Sequence, residues 1–152
     1  MKNIILFLTF LFLFVSCTND DQTVSISSGT SFGMCVGYCI RVLEITSTGA
    51  SYTASSWAPD SAFAKIQKEY DLQPGEWQTI MSLADMDSMQ DYPDVIGCPD
   101  CADGGAEWIA LKENGITKKI TFEYGDSLES IQPIIDEMRV LRARYEARIF
   151  EK

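Results

Sequence analysis

"AEWIALKENGITKKITFEY", residues 106–124, decides the fold class. Asn114-Gly115 is the dipeptide that best tolerates positive φ at two successive positions, as a two-residue turn between antiparallel strands requires. After it, Ile120, Phe122 and Tyr124 alternate with Lys119, Thr121 and Glu123, the period of a strand with one buried face. Such a hairpin needs a layer to cover its apolar side. The segment from about Ser130 supplies one: Ile131, Ile134, Ile135, Met138 and Leu141 recur at helical spacing, and Tyr145 and Ile149 continue the stripe. Pro133 falls in the first turn, where a missing N–H costs little. Arg139, Arg142, Arg144 and Arg148 fall on the other face and read as solvated, with a basic interaction face as the alternative.

Toward the N-terminus, "PGEWQTIMSLA" (74–84) puts Trp77, Ile80, Met81 and Ala84 on one helical face, with Pro74 and Glu76 suited to its start. Residues 85–105, rich in Asp, Pro and Gly, read as the longest loop. Ala64, Ile66, Lys68, Tyr70 and Leu72 alternate as a half-buried strand, and "IRVLEIT" (40–46) pairs with "ASYTASSW" (50–57) as a hairpin around Gly49. Trp77 and Trp108 fall in patterned elements and read as core. The expected architecture is α+β, an antiparallel sheet of about five strands with two helices on one face, in the order βββαββα.

The chain has 152 residues, enough for one domain and a processing segment. Lys2 precedes the apolar run "IILFLTFLFLFV" (4–15), which is shorter than a membrane-spanning helix and reads as an export signal. Residues 1–16 are the expected signal peptide, 17–30 a polar, flexible tether and 31–152 a single domain. Phe14-Val15-Ser16-Cys17 resembles the lipobox of bacterial lipoproteins. That resemblance implies cleavage before Cys17 and fatty-acyl chains, palmitate among them, on its thiol and amine; several chains anchor stably where one does not. Thr18, in place of an inner-membrane retention Asp, is compatible with the outer membrane, and Asp20 and Asp21 resemble the acidic tag of surface-displayed Bacteroidetes-type lipoproteins. The implied location is the outer membrane, lipid-anchored, facing periplasm or cell surface.

The net charge is −10, with no histidine. An acidic chain without a basic stripe is a poor partner for nucleic acid, and without a polybasic patch the membrane contact falls to Cys17 alone. No Ser-His or Cys-His nucleophile can exist. No catalytic residue is assigned and no cofactor is implied; an enzyme is the less favoured class, with carboxylates, Lys, Tyr and Cys as its remaining means.

"SFGMCVGYCIRVLEI" (31–45) is similar to the opening of a family of uncharacterised bacterial domains, many of them lipoproteins, whose first strand begins Cys-Phe-Gly-x-Cys-Pro-x-Tyr. Phe32, Gly33, Cys35 and Tyr38 match; Ser31 replaces the first cysteine, Val36 the proline, and Cys39 is additional. The resemblance covers most of residues 31–145 and implies fold and location without an activity.

Four cysteines remain after Cys17: Cys35, Cys39, Cys98 and Cys101. In an exported chain they favour disulfides. Cross-bridges from the first strand to the 97–104 loop lead, ahead of two local bridges and a four-cysteine metal site. The local 35–39 bridge requires the segment to coil at Gly33 and Gly37, because fully extended it would span roughly 13 Å. Pro99-Asp100 can centre a tight turn that brings Cys98 to Cys101. A redox pair at Cys98-Pro-Asp-Cys101 would want a helix N-terminus after it, and "ADGGAEW" offers none. Asp100, Asp103 and Glu107 are candidate cation ligands on a Gly-containing loop, though not at EF-hand spacing. Hydrolysis by Asp94, Asp103 and Glu107 has no diagnostic spacing behind it. The expected function is a non-enzymatic binding or interaction module stapled by disulfides, its protein or small-molecule partner open. The alternative is thiol–disulfide exchange or metal binding at Cys98 and Cys101 with Cys35 and Cys39.

Overall fold

The structure, a computed structural model, describes residues 24–58 and 62–150. The expected signal peptide, Cys17 and the tether up to residue 23 lie outside the described residues. The strands are β1 (Ser25–Ser31), β2 (Ile40–Thr46), β3 (Gly49–Ser55), β4 (Ile66–Tyr70), β5 (Ala106–Glu113) and β6 (Ile116–Glu123); the helices are α1 (Glu76–Leu83), α2 (Met86–Gln90) and α3 (Gln132–Phe150). The sheet is antiparallel throughout, in the order β4-β3-β2-β1-β5-β6. The α+β class is as expected, with six strands rather than about five and three helices rather than two.

The additional strand is β1. Residues 25–30, expected to end the tether, lie instead at the centre of the sheet, bonded to β2 on one side and β5 on the other. The sequence SISSGTS has little bulk of its own, so its place comes from what lies across it. On one face Ile26 is fully buried in the core. On the other the Trp108 indole lies over Gly29, and a Cβ there would meet the ring at 2.6 Å. Trp108 therefore packs on the outer face of the sheet and not in the core expected for it, with Lys119 Nζ 4.4 Å from its ring centroid.

The turn at Asn114 (φ 53°) and Gly115 (φ 77°) is the two-residue hairpin expected, closing the Glu113–Ile116 pair. Register places Ile26, Leu43, Ile45, Ile109, Leu111, Ile120 and Phe122 on the face toward α3, where they bury with Ile134, Ile135, Met138, Leu141 and Tyr145. Fully burying each such side chain stabilises by about 1.5–3 kcal/mol before entropy is set against it. The second departure is α2, inside the expected loop 85–105. Five residues are too few to show a period, and what starts the helix is local. The Asp85 carboxylate accepts from Asp87 N at 3.1 Å and from Ser88 Oγ at 2.6 Å. The Ser88 hydroxyl in particular holds the Asp85 carboxyl below its ordinary range. Among the described residues no helix is long and apolar enough to cross a membrane.

Candidate functional site

The helix-facing side of the sheet changes character along the strands. Three residues in register across its last row, Arg41, Thr30 and Glu107, are polar where the next rows are largely apolar. This row lies where β1 ends and β2 and β5 begin. With Phe32, Tyr124 and the Arg139, Arg142 and Glu146 side chains of α3, it lines a cleft of about 410 Å³, within the usual range of ligand sites.

Glu107 is the centre of the cleft and is 1 % exposed. The Arg139 Nε donates to both carboxylate oxygens at 3.1 Å and its Nη2 to Oε2 at 2.8 Å. The Arg142 Nη2 reaches Oε1 at 2.7 Å, and Gly125 N donates to Oε2 at 3.3 Å. Burial alone would raise the Glu107 pKa; the two guanidiniums outweigh it and hold the carboxyl below its ordinary range. Arg139 is correspondingly raised, chiefly by its hydrogen bonds to Glu107. Arg142 Nη1 also donates to Ser28 Oγ, and Arg139 Nη2 to the Asp126 carbonyl at 2.6 Å. Arg41 pairs with Glu146 at 2.8 Å, and its Nε is buried with no partner among the described residues.

These pairs correct the expectation of a solvated arginine face on α3. Arg139 and Arg142 turn to the sheet and Arg144 pairs with Glu76, while Arg148 is exposed as expected, its guanidinium 5.4 Å from the Tyr70 ring centroid. The cause is two carboxylates from distant segments, a pairing that helical periodicity alone does not reveal.

Two disulfide loops flank the cleft, and both bridges are local: Cys35–Cys39 with Cα atoms 5.6 Å apart and Cys98–Cys101 with 5.4 Å. The cross-bridged arrangement is not formed. Gly37, at φ 109°, supplies the coiling that the first bridge needs. Pro99-Asp100 centre the turn of the second, in which Cys101 N donates to Cys98 O at 3.0 Å. The second loop is wired to its surroundings. Asp100 Oδ1 accepts from Gly33 N at 3.1 Å and from Gly105 N at 3.2 Å, and Glu123 Oε1 accepts from Cys98 N at 2.9 Å. Gly105, at φ 85°, sits so close to the Phe32 ring that no Cβ would fit. Phe32 packs edge-on against Tyr124 at 5.0 Å between centroids, and Trp57 Nε1 donates to the Phe32 carbonyl at 2.8 Å. The loops thus hold the aromatic wall of the cleft.

The remaining candidates do not converge. Among the described residues no group of three or more His, Cys, Asp or Glu side chains is placed to hold a metal ion. Asp100 is a loop brace, Asp103 follows it at φ 61°, and Glu107 is locked by arginines. Asp94 pairs with Lys118 at 2.7 Å, away from Glu107, so these two of the three carboxylates weighed for hydrolysis have separate partners. After Cys101 comes one 3₁₀ turn and then β5, with no helix N-terminus behind the thiols. A second depression of about 440 Å³, bordered by Glu44, Ser51, Glu69 and Asp71, contains no buried charged group, and Glu107 makes the smaller cleft the better candidate. Sequence reasoning missed Arg41 as a site residue and offered Arg139 and Arg142 only within a basic interaction face, the less favoured alternative. The one signal available was the polar row Thr30, Arg41 and Glu107, unreadable without the register. No protein-family model matches the chain, and no curated protein matches it.

Proposed function

We propose that the chain is a lipid-anchored outer-membrane or cell-surface protein, fastened through Cys17, acting as a non-enzymatic binding module with the arginine-lined cleft as its site. The observation that carries the reading is the placement of that cleft. The described chain enters the sheet at Ser25, at one end of β1, and the cleft opens at the other, beside Ser31. A tether leaving Val24 therefore starts from the end opposite the cleft. The resemblance to the uncharacterised lipoprotein domains agrees with this reading: of its matching residues, Phe32 lines the cleft and Gly33 receives the Asp100 brace. The chemistry favours binding over turnover. Glu107 is saturated with donors and held ionised, which suits neither a general acid nor a general base.

Anchoring is tested by expressing the full chain with an alkyne fatty acid and comparing Cys17→Ser. Label and envelope fractionation that both vanish in the variant support it; an unlabelled chain retaining Met1 overturns it. Binding is tested by saturation-transfer NMR of neutral and charged aromatic fragments against the full chain in detergent. Hits lost in Tyr124→Ala support the cleft; no hits, or hits indifferent to that change, overturn it. Intact mass after alkylation without reductant is expected to show Cys35, Cys39, Cys98 and Cys101 protected. A reactive Cys98 thiol would favour thiol exchange instead.

A further inference from the structure

We infer that the cleft takes a small carboxylate with a flat apolar body, an assignment of ligand class that rests on the cleft being the binding site. Three guanidiniums, Arg41, Arg139 and Arg142, face two carboxylates, Glu107 and Glu146. The cleft lining therefore carries one surplus positive charge in a chain whose net charge is −10. Asp136 touches Arg139 only at 3.5 Å from the rim, where it is 60 % exposed and its charge is screened by water. A surplus charge in a recess floored by the buried Thr30, Glu107 and Arg142 favours a counter-anion.

The largest share of uncommitted donors belongs to Arg41. Its side chain is 38 % exposed, and its only ion pair among the described residues uses Nη1, on Glu146. A guanidinium has five N–H donors in a planar fork that matches a carboxylate. A cationic ligand is disfavoured by charge: Glu107 has both oxygens occupied, and Glu146, with one oxygen on Arg41, sits in a lining where guanidiniums outnumber carboxylates. Beside the charges stand the Phe32 and Tyr124 rings, Tyr124 being 53 % exposed, and a flat apolar group fits against such a surface.

The test is calorimetric titration of the full chain in detergent, at low salt, with sodium benzoate and with its neutral isostere benzamide. Benzoate is expected to bind at least about tenfold more tightly, the scale of a hydrogen bond to a charged group. Arg41→Gln removes that preference, Arg41→Lys restores part of it, and a thermal melt by circular dichroism confirms that each variant is folded. Tyr124→Ala weakens both ligands alike. Equal affinity for the two ligands, or a preference that survives Arg41→Gln, overturns the ligand class. If those equal affinities still fall in Tyr124→Ala, the cleft itself stands as the site. Failure of both ligands to saturate overturns the class outright, and the fragment screen then decides separately whether the cleft binds anything.

Discussion

Two buried glutamates fasten α3, and they do it differently. Glu76, at the start of α1, takes Arg144, accepts from the Tyr145 hydroxyl at 3.2 Å and from Gln73 N at 3.1 Å. That circuit is balanced, one cation to one anion, and it welds two helices together. Glu107, at the start of β5, takes two cations and opens on a cavity. Arg144, like Arg41, leaves its Nε buried and without a partner among the described residues, but it borders neither of the depressions described above. Balanced wiring closes a joint; surplus wiring beside an opening leaves room for a ligand.

Glu107→Ala should be the most damaging change, because it strands Arg142 in the interior. The expected loss is about 3–5 kcal/mol, or roughly 10 °C in Tm, read by thermal or urea unfolding. A loss under 1 kcal/mol would break the contrast at its centre. Glu76→Ala removes one charge-assisted hydrogen-bonding hub and should cost about 1.5–3 kcal/mol, without changing benzoate affinity.

The arginine partners sharpen the point by reversing roles. Arg144→Gln leaves Glu76 without its cation and should cost about 2 kcal/mol. Arg139→Gln leaves Glu107 still paired with Arg142 and should cost about 1 kcal/mol or less. If Arg139→Gln proved the more destructive, the surplus at Glu107 would be fictitious.

The smallest effects lie in pH. The Glu107 pKa is depressed, so its contribution is complete above the ordinary glutamate range, about 4–5, and is lost as pH falls through the lower folded value. Tyr145 is raised, by burial first and then by Glu76. Its contribution is complete below the ordinary tyrosine value of about 10 and is lost as pH rises through the folded one. Tyr52 is raised too, mainly by burial and then by Glu146, and shares that alkaline limb. Urea midpoints against pH should show Glu107→Gln flattening only the acid limb and Tyr145→Phe only part of the alkaline one.

Legibility in the sequence followed the range of the forces involved. Asn114-Gly115, the alternation in β6 and the Ile134–Leu141 stripe are local signals, and each appears in the structure where expected. The turn at Pro99-Asp100 was legible for the same reason. β1 was not, because Ser, Gly and Thr carry no apolar period; its position depends on Trp108 over Gly29 and Arg142 on Ser28, residues far away in the chain. The disulfide partners turned on whether Gly37 coils its segment, which composition permits but does not compel. The site was the least legible part. Arg139 and Arg142 meet Glu107 across 32 and 35 residues of chain, so helical spacing alone shows them as a polar stripe.

The central position of β1 has a mechanical consequence. Any tension on the chain upstream of Val24 runs along this strand, which is bonded to a neighbour on each side over its whole length. Such a load must shear both ladders at once, whereas the same pull along the edge strand β4 would load a single one. The polypeptide is thus gripped most firmly where a tug on its leading end arrives.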